Sequence, residues 1–100
     1  MKLSPSERVE KSGTFLYDCA VVCDLCIVFS PVHFGTGDYE DPPEWADDID
    51  QDTYYIWYGS TTARGMFNAR GGGFSTLSAA VAHVEAMPGI GNTVRWAEVP

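Results

Sequence analysis

The run from Thr14 to Phe29 narrows the choice of fold more than any other stretch of the chain. Taken at every second residue, it presents one apolar face formed by Phe15, Tyr17, Cys19, Val21, Cys23, Leu25, Ile27 and Phe29. The opposite face carries Asp18 and Asp24. Successive side chains of a strand point to opposite faces, so this alternation is typical of a half-buried strand. We therefore predict one long strand across the run.

Two further strands are expected in the middle of the chain. The sequence TYYIWY at 53–58 has the β-branched and aromatic content that strands favour. After a turn at 59–62, we expect another strand at about 64–69, ended by a flexible turn at 71–73. A loop of three glycines can also bind an anion, but no phosphate-binding motif follows it.

Helical signals lie at both ends. From a cap at Ser75 to Met87, apolar residues recur at helical spacing: Leu77, Ala80, Val81, Val84 and Met87. A last strand is expected at 92–99, and the capping-box pattern from Ser4 to Glu7 indicates a short N-terminal helix. The sequence therefore predicts one α+β domain over residues 1–100. Its order is (α)βββαβ, an antiparallel sheet of about four strands with one main helix on one face.

Composition indicates a folded cytoplasmic protein. The chain is 45% apolar and 13% aromatic, which favours a packed core over disorder. The longest apolar run, 19–29, is too short to span a membrane, and residues 1–13 lack the apolar segment of a secretory signal. Three cysteines, an odd number, favour free thiols in a reducing compartment.

The net charge is confined to a single segment. Residues 38–52, named here the acidic window, hold eight acids and no base, whereas six acids and six bases balance elsewhere. Such a field attracts a basic protein surface and repels nucleic acid. We therefore predict partner contacts by Asp38, Glu40, Asp41, Glu44, Trp45, Asp47, Asp48, Asp50 and Asp52. A solvated loop that only aids solubility is the alternative.

The aromatic strand offers a second candidate surface. Tyr54, Ile56 and Tyr58 point one way along it, whereas Tyr55 and Trp57 point the other way. One helix covers only one face of a sheet, so we predict Tyr55 and Trp57 on the other face as exposed partner-binding anchors. The alternative is that the N-terminal segment or the acidic window covers them.

The cysteines allow a different class of function. Cys19, Cys23 and Cys26 have the spacing that holds an iron–sulfur cluster in radical-SAM enzymes, and His33 could complete a zinc site. On one strand, however, Cys19 and Cys23 point to one face and Cys26 to the other. We therefore predict no metal or cofactor, with Cys23 in the core, and keep a metal-binding or redox protein as the alternative.

Other chemical motifs are incomplete. Asp48, Asp50 and Asp52 match the start of a calcium loop, but Thr53 and Gly59 stand where that loop requires Gly and Glu. Neither His33 nor His83 belongs to a recognisable catalytic motif. We predict that the chain is not an enzyme.

The end of the chain resembles a known group of inhibitors. The segment from Phe74-Ser75-Thr76 through the helix to Met87-Pro88-Gly89-Ile90-Gly91 is similar to the end of a small phage-encoded anti-CRISPR protein that acts on type I systems. The resemblance covers about the last quarter of the chain. These proteins share no catalytic motif, so no functional residue is carried over.

The resemblance implies a mode of action. The chain would act stoichiometrically in the cytoplasm of a host bacterium, where it would block DNA binding by a type I (Cascade-type) CRISPR effector with acidic side chains in place of phosphates. We expect no membrane contact and no direct binding of nucleic acid. A homodimer is kept as an alternative to a monomer. The blander alternative is a phage or bacterial accessory domain that binds another protein.

Overall fold

One antiparallel sheet organises the protein. The computed structural model describes residues 2–40 and 42–97. Within them the strands are β1 (Arg8–Tyr17), β2 (Val21–His33), β3 (Ile49–Gly59), β4 (Phe67–Phe74) and β5 (Arg95–Trp96). Their spatial order is β4-β3-β2-β1-β5. The predicted mixed α+β class is confirmed, with more sheet than expected and five strands in place of about four.

The predicted long strand is a hairpin. β1 and β2 pair antiparallel from Arg8↔Phe29 to Tyr17↔Val21, and the N–H of Ala20 donates to the carbonyl of Tyr17 across the turn. Asp18 and Cys19 occupy the turn with φ of 52° and 53°. Two central residues with positive φ form the tight turn that matches strand twist, and glycine or asparagine usually fills these positions. The apolar alternation hides the turn because Cys19 continues the pattern.

The N-terminal helix is not formed. The expected capping contact exists, since the N–H of Ser4 donates to Oε1 of Glu7 at 2.8 Å, but the chain then makes only a turn. From Arg8 onward the backbone pairs with β2 and buries Phe15. Sheet pairing outweighs the weak local helix signal here, as tertiary contacts often do.

The middle strands are longer than predicted. β3 contains the whole predicted segment 53–58, and β4 runs through the glycines that we expected to end it. Gly72 and Gly73 have φ of 98° and 108°, beside a register shift at Tyr54 and Tyr55. The three glycines are therefore an irregular part of an edge strand, neither a flexible turn nor an anion-binding loop.

Two α-helices lie between strands in the described part of the chain, one between β2 and β3 and the other after β4. α1 (Pro43–Ala46) is a single turn that begins at a proline, a residue common at the first position of a helix, and α2 (Leu77–Glu85) is the main helix. Thr76, not Ser75, caps α2, because its Oγ1 accepts the N–H of Ala79. A short 3-10 helix at Gly91–Thr93 precedes the two residues of β5, in place of most of the predicted strand 92–99. Residues 98 and 99 of that prediction lie outside the described residues.

The sheet has a packed cluster on each face. Helix α2 covers the first, where Ala80 and Val84 are fully buried and Leu77 and Val81 lie at the edge, as their spacing predicts. The buried residues of this cluster are Phe15, Cys23, Leu25, Ile27, Ile56, Ala80, Val84 and Val94. The opposite face buries Cys26, Val28, Tyr55 and Trp57, with Phe34 and Phe67 packed against them. Both hydrophobic clusters thus contain residues of strands β2 and β3.

Candidate protein-binding surface

Most of the acidic window lies on a closed loop between β2 and β3, and its last four residues begin β3. Backbone hydrogen bonds join its two ends: Thr36 N–H donates to the carbonyl of Trp45 at 2.8 Å, and Gly37 N–H to that of Ala46 at 3.0 Å. The N–H of Gly35 donates to Oδ1 of Asp48 at 2.9 Å. Fully extended, 15 residues would reach about 50 Å, which exceeds the longest dimension of the molecule, 42 Å. The window is therefore folded.

Two residues fix the start of this loop to the sheet. The hydroxyl of Tyr55 accepts the N–H of Phe34 at 2.8 Å, and the two rings lie 5.5 Å apart. At Gly35, an added Cβ would overlap the carbonyl of Ala46, so only glycine allows the two loop ends to approach this closely. The loop is thus held by specific contacts with β3 and within itself.

Most of the predicted acids are exposed on this loop and on the start of β3. Asp38, Glu40, Asp47, Asp48, Asp50 and Asp52 are all exposed. Asp48 holds Gly35, and Oδ1 of Asp38 accepts the N–H of Glu40 at 2.9 Å. Within residues 2–40 and 42–97, no base forms an ion pair with any of the six. Asp41 and the side chain of Glu44 lie outside the described residues.

Two acids outside the acidic window pair with bases. Asp24 of β2 accepts from two groups of the β3–β4 turn: Nη2 of Arg64 at 2.8 Å and the N–H of Gly65 at 2.6 Å. These contacts, the Arg64 hydrogen bond first, lower the pKa of Asp24 below its ordinary value. Glu10 pairs with Arg8. In the described structure, the acidic window is therefore the segment in which neighbouring acids without a base partner are concentrated.

Exposed aromatic rings accompany the acids. Trp45, which we predicted as a contact, is 65% exposed, and Tyr39 is 92% exposed. Tyr39 was missed from the sequence, although its position between Asp38 and Glu40 was a usable signal. Large rings on the surface of a folded protein are the residue type that contributes most to interface energies.

The prediction that Tyr55 and Trp57 are exposed is wrong. Tyr55 and Trp57 do face away from α2, as we predicted, but they are only 6% and 5% exposed. Phe34 packs on Tyr55, Phe67 packs on Trp57, and the guanidinium of Arg70 lies 5.1 Å from the Tyr55 ring. These side chains are therefore core residues, and they cannot contact a partner as exposed anchors.

The cysteines do not converge on one site. Cys23 is buried in the cluster under α2, as predicted, and Cys26 is buried in the cluster on the opposite face. Cys19 is exposed in the hairpin turn, so our expectation that it shares a face with Cys23 is wrong. Burial raises the pKa of Cys26 to about 11, which disfavours the thiolate that binds metals.

The other motifs also lack the geometry of a metal site. Asp50 and Asp52 lie on the extended backbone of β3 instead of a curled calcium loop. Across the described residues, no three His, Cys, Asp or Glu side chains are grouped so as to hold an ion. His83 is exposed, and its ring packs on Phe74 with centres 5.0 Å apart.

Comparisons with protein families, with curated proteins and with solved structures found no match to this chain. In the described part of the chain, neither helix has the length and apolar character needed to cross a bilayer. The surface itself is therefore the guide to function.

Proposed function

We propose that the protein is a stoichiometric inhibitor that binds a basic surface of a protein target and occupies the place of nucleic acid there. The observation that carries this proposal is the concentration of exposed acids without counter-charges on one closed loop and the adjoining end of β3. Solvated carboxylates that lack bases of their own are free to pair with Lys and Arg of a partner.

The loop supports binding because part of its order already exists. Its backbone bonds at Gly35, Thr36 and Gly37 hold the two ends together before any partner arrives. A preformed loop loses less conformational entropy on binding than an unstructured acidic tail would lose. The field can also speed association with a basic target.

Exposed Trp45 and Tyr39 would supply the short-range part of the affinity. Charges at an interface mainly increase association rate and specificity, whereas buried aromatic rings supply much of the binding energy. A basic surface that also has an apolar hollow would fit this combination. Nucleic-acid-binding surfaces that stack bases have both properties.

The resemblance at the C-terminal end makes a type I CRISPR effector the first target to test. In that case the protein would act in the cytoplasm of the host bacterium, without binding nucleic acid or a membrane itself. The folded window supports mimicry of a short stretch of backbone better than mimicry of a duplex. Duplex DNA carries one charge per ~1.7 Å of axis, a density that eight acids match only over a short length.

Two charge variants test the proposal. The first replaces Asp47, Asp50 and Asp52 with Asn. The matched control replaces Glu10, Asp18 and Glu85 with Gln, Asn and Gln. Each variant removes three negative charges from the net charge of −8, so both have the same overall charge and differ only in location.

The measurement is the affinity of wild type and both variants for a purified type I effector at low salt, with target DNA as competitor. We expect the first variant to bind at least tenfold more weakly, the control to stay within about threefold of wild type, and DNA to displace the wild-type chain. Equal affinities of the two variants would contradict a role for the acidic window. Failure of all three to bind this effector would reject the named target, and a low-salt pull-down from a bacterial lysate would then seek another basic protein.

A further inference from the structure

A second site is suggested by a groove on the face of the sheet opposite α2. Its floor includes Trp57, one wall is the N-terminal segment from Lys2 to Glu7, and the other is Asn68–Arg70 of β4. The groove encloses about 680 Å³, which lies within the range of small-molecule sites, ~300–1,000 Å³. It is separate from the acidic window, none of whose residues lines it.

Trp57 at the floor of this groove has an unusual defect. Its indole Nε1 is the one buried side-chain nitrogen or oxygen in the described part of the chain that has no hydrogen-bond partner. A buried donor without an acceptor is costly, and native proteins keep few of them. The other tryptophan nitrogen near the sheet, Nε1 of Trp96, donates to Glu85 at 3.4 Å. The missing acceptor therefore distinguishes Trp57 from Trp96.

The charges of the groove differ from those of the whole chain. Lys2 and Arg70 line it together with a single acid, Glu7, whose Oε1 already accepts the N–H of Ser4. The guanidinium of Arg70 lies 4.9 Å from the ring centre of Phe34 and 5.1 Å from that of Tyr55. Within residues 2–40 and 42–97 it has no carboxylate partner. A guanidinium held against two rings, without a carboxylate partner among the described residues, is well suited to bind an anion.

We propose that this groove binds a small anion that carries a flat ring. Its phosphate or carboxylate group would pair with Arg70 and Lys2, and its ring would lie along Val32 and Phe34. Nε1 of Trp57 is fully buried, so binding would move the side chains around the indole and bring one acceptor atom of the ligand to Nε1. Hydroxyl and amide groups of Ser4, Ser6 and Asn68 line the same groove and could bond the remaining oxygens.

The test uses the three indole N–H signals of the ¹⁵N-labelled protein, which has three tryptophans. Phenyl phosphate and benzoate are the anionic probes, and benzyl alcohol is the neutral control. We expect at least one anion to move the Trp57 signal downfield in a saturable way, while the Trp45 and Trp96 signals stay in place. The anion that binds more tightly identifies the preferred group.

Two matched substitutions complete the test. Arg70→Gln should weaken binding of the anion by about tenfold to a hundredfold, the usual effect of losing a charge-assisted bond. Lys11→Gln makes the same charge change beside Trp96, outside the groove, and should leave affinity within about twofold. The proposal is overturned if no anionic probe moves the Trp57 signal at millimolar concentration, if benzyl alcohol moves it equally, or if the two variants weaken binding equally.

Discussion

Trp57 and Trp45 provide a direct contrast between a core residue and a surface residue of the same type. Trp57 is 5% exposed between Phe67 and the sheet, whereas Trp45 is 65% exposed on the acidic loop. Burying a tryptophan removes roughly 150–250 Å² from water, which at about 25 cal/mol per Å² corresponds to ~4–6 kcal/mol. Measured Trp→Ala changes in cores cost ~3–5 kcal/mol. We therefore expect Trp57→Ala to destabilise the fold by about 3–5 kcal/mol.

The assay is urea unfolding followed by circular dichroism, with a thermal melt as a second measure. For a domain of this size each 1 kcal/mol lowers the midpoint by ~4–8 °C, so Trp57→Ala should lower it by more than about 12 °C. Trp45→Ala should change stability by less than about 0.5 kcal/mol, as surface substitutions usually do, and should instead weaken partner binding. A cost below about 1 kcal/mol for Trp57→Ala would refute the burial argument.

Three other substitutions or treatments test separate parts of the structure. Asp24→Asn should lower the unfolding midpoint at pH 7, because the pKa of Asp24 is lowered in the fold and its carboxylate therefore stabilises the native state; the difference from wild type should shrink as the pH falls through that lowered pKa, which a pH series of urea melts measures, and a difference that does not depend on pH would contradict it. Gly35→Ala should detach the acidic loop and increase hydrogen exchange at Thr36, since the added Cβ would overlap the Ala46 carbonyl; unchanged exchange would count against the close approach. Iodoacetamide at pH 8 should label only Cys19 in the native protein and all three cysteines in denaturant, as mass spectrometry would show; native labelling at two or three sites would disprove the burial of the other thiols.

Local patterns predicted those elements whose signals lie within a few residues. The strand at 53–58 and the apolar stripe of α2 were both predictable, because the period of apolar residues directly reflects which face is buried. The hairpin turn was not predictable, because its two central positions hold Asp18 and Cys19 in place of the glycine or asparagine that normally marks such a turn. The prediction of an N-terminal helix was wrong because the pairing of this segment with β2 is a long-range interaction, which a local pattern does not reveal.

The burial of Trp57 also could not be predicted from a local sequence pattern. Period two correctly separated Trp57 from Ile56, but exposure depends on Phe34 and Phe67, which are distant along the chain. The acidic window was evident from composition, whereas its closure by Gly35 and Asp48 depends on geometry. The sequence therefore indicated which residues carry charge, and the fold determined how they are presented.

The central proposal, that the acidic window binds a basic surface, is tested most directly by the salt dependence of affinity. The dissociation constant for the partner would be measured from 0.1 to 1 M salt, for wild type and for the variant with Asn at positions 47, 50 and 52. Exposed charges are screened over this range because the Debye length falls from ~10 to ~3 Å. We predict that wild-type affinity falls steeply with salt, and that the variant is weaker at 0.1 M and changes less. Coincident curves for the two proteins would contradict the account.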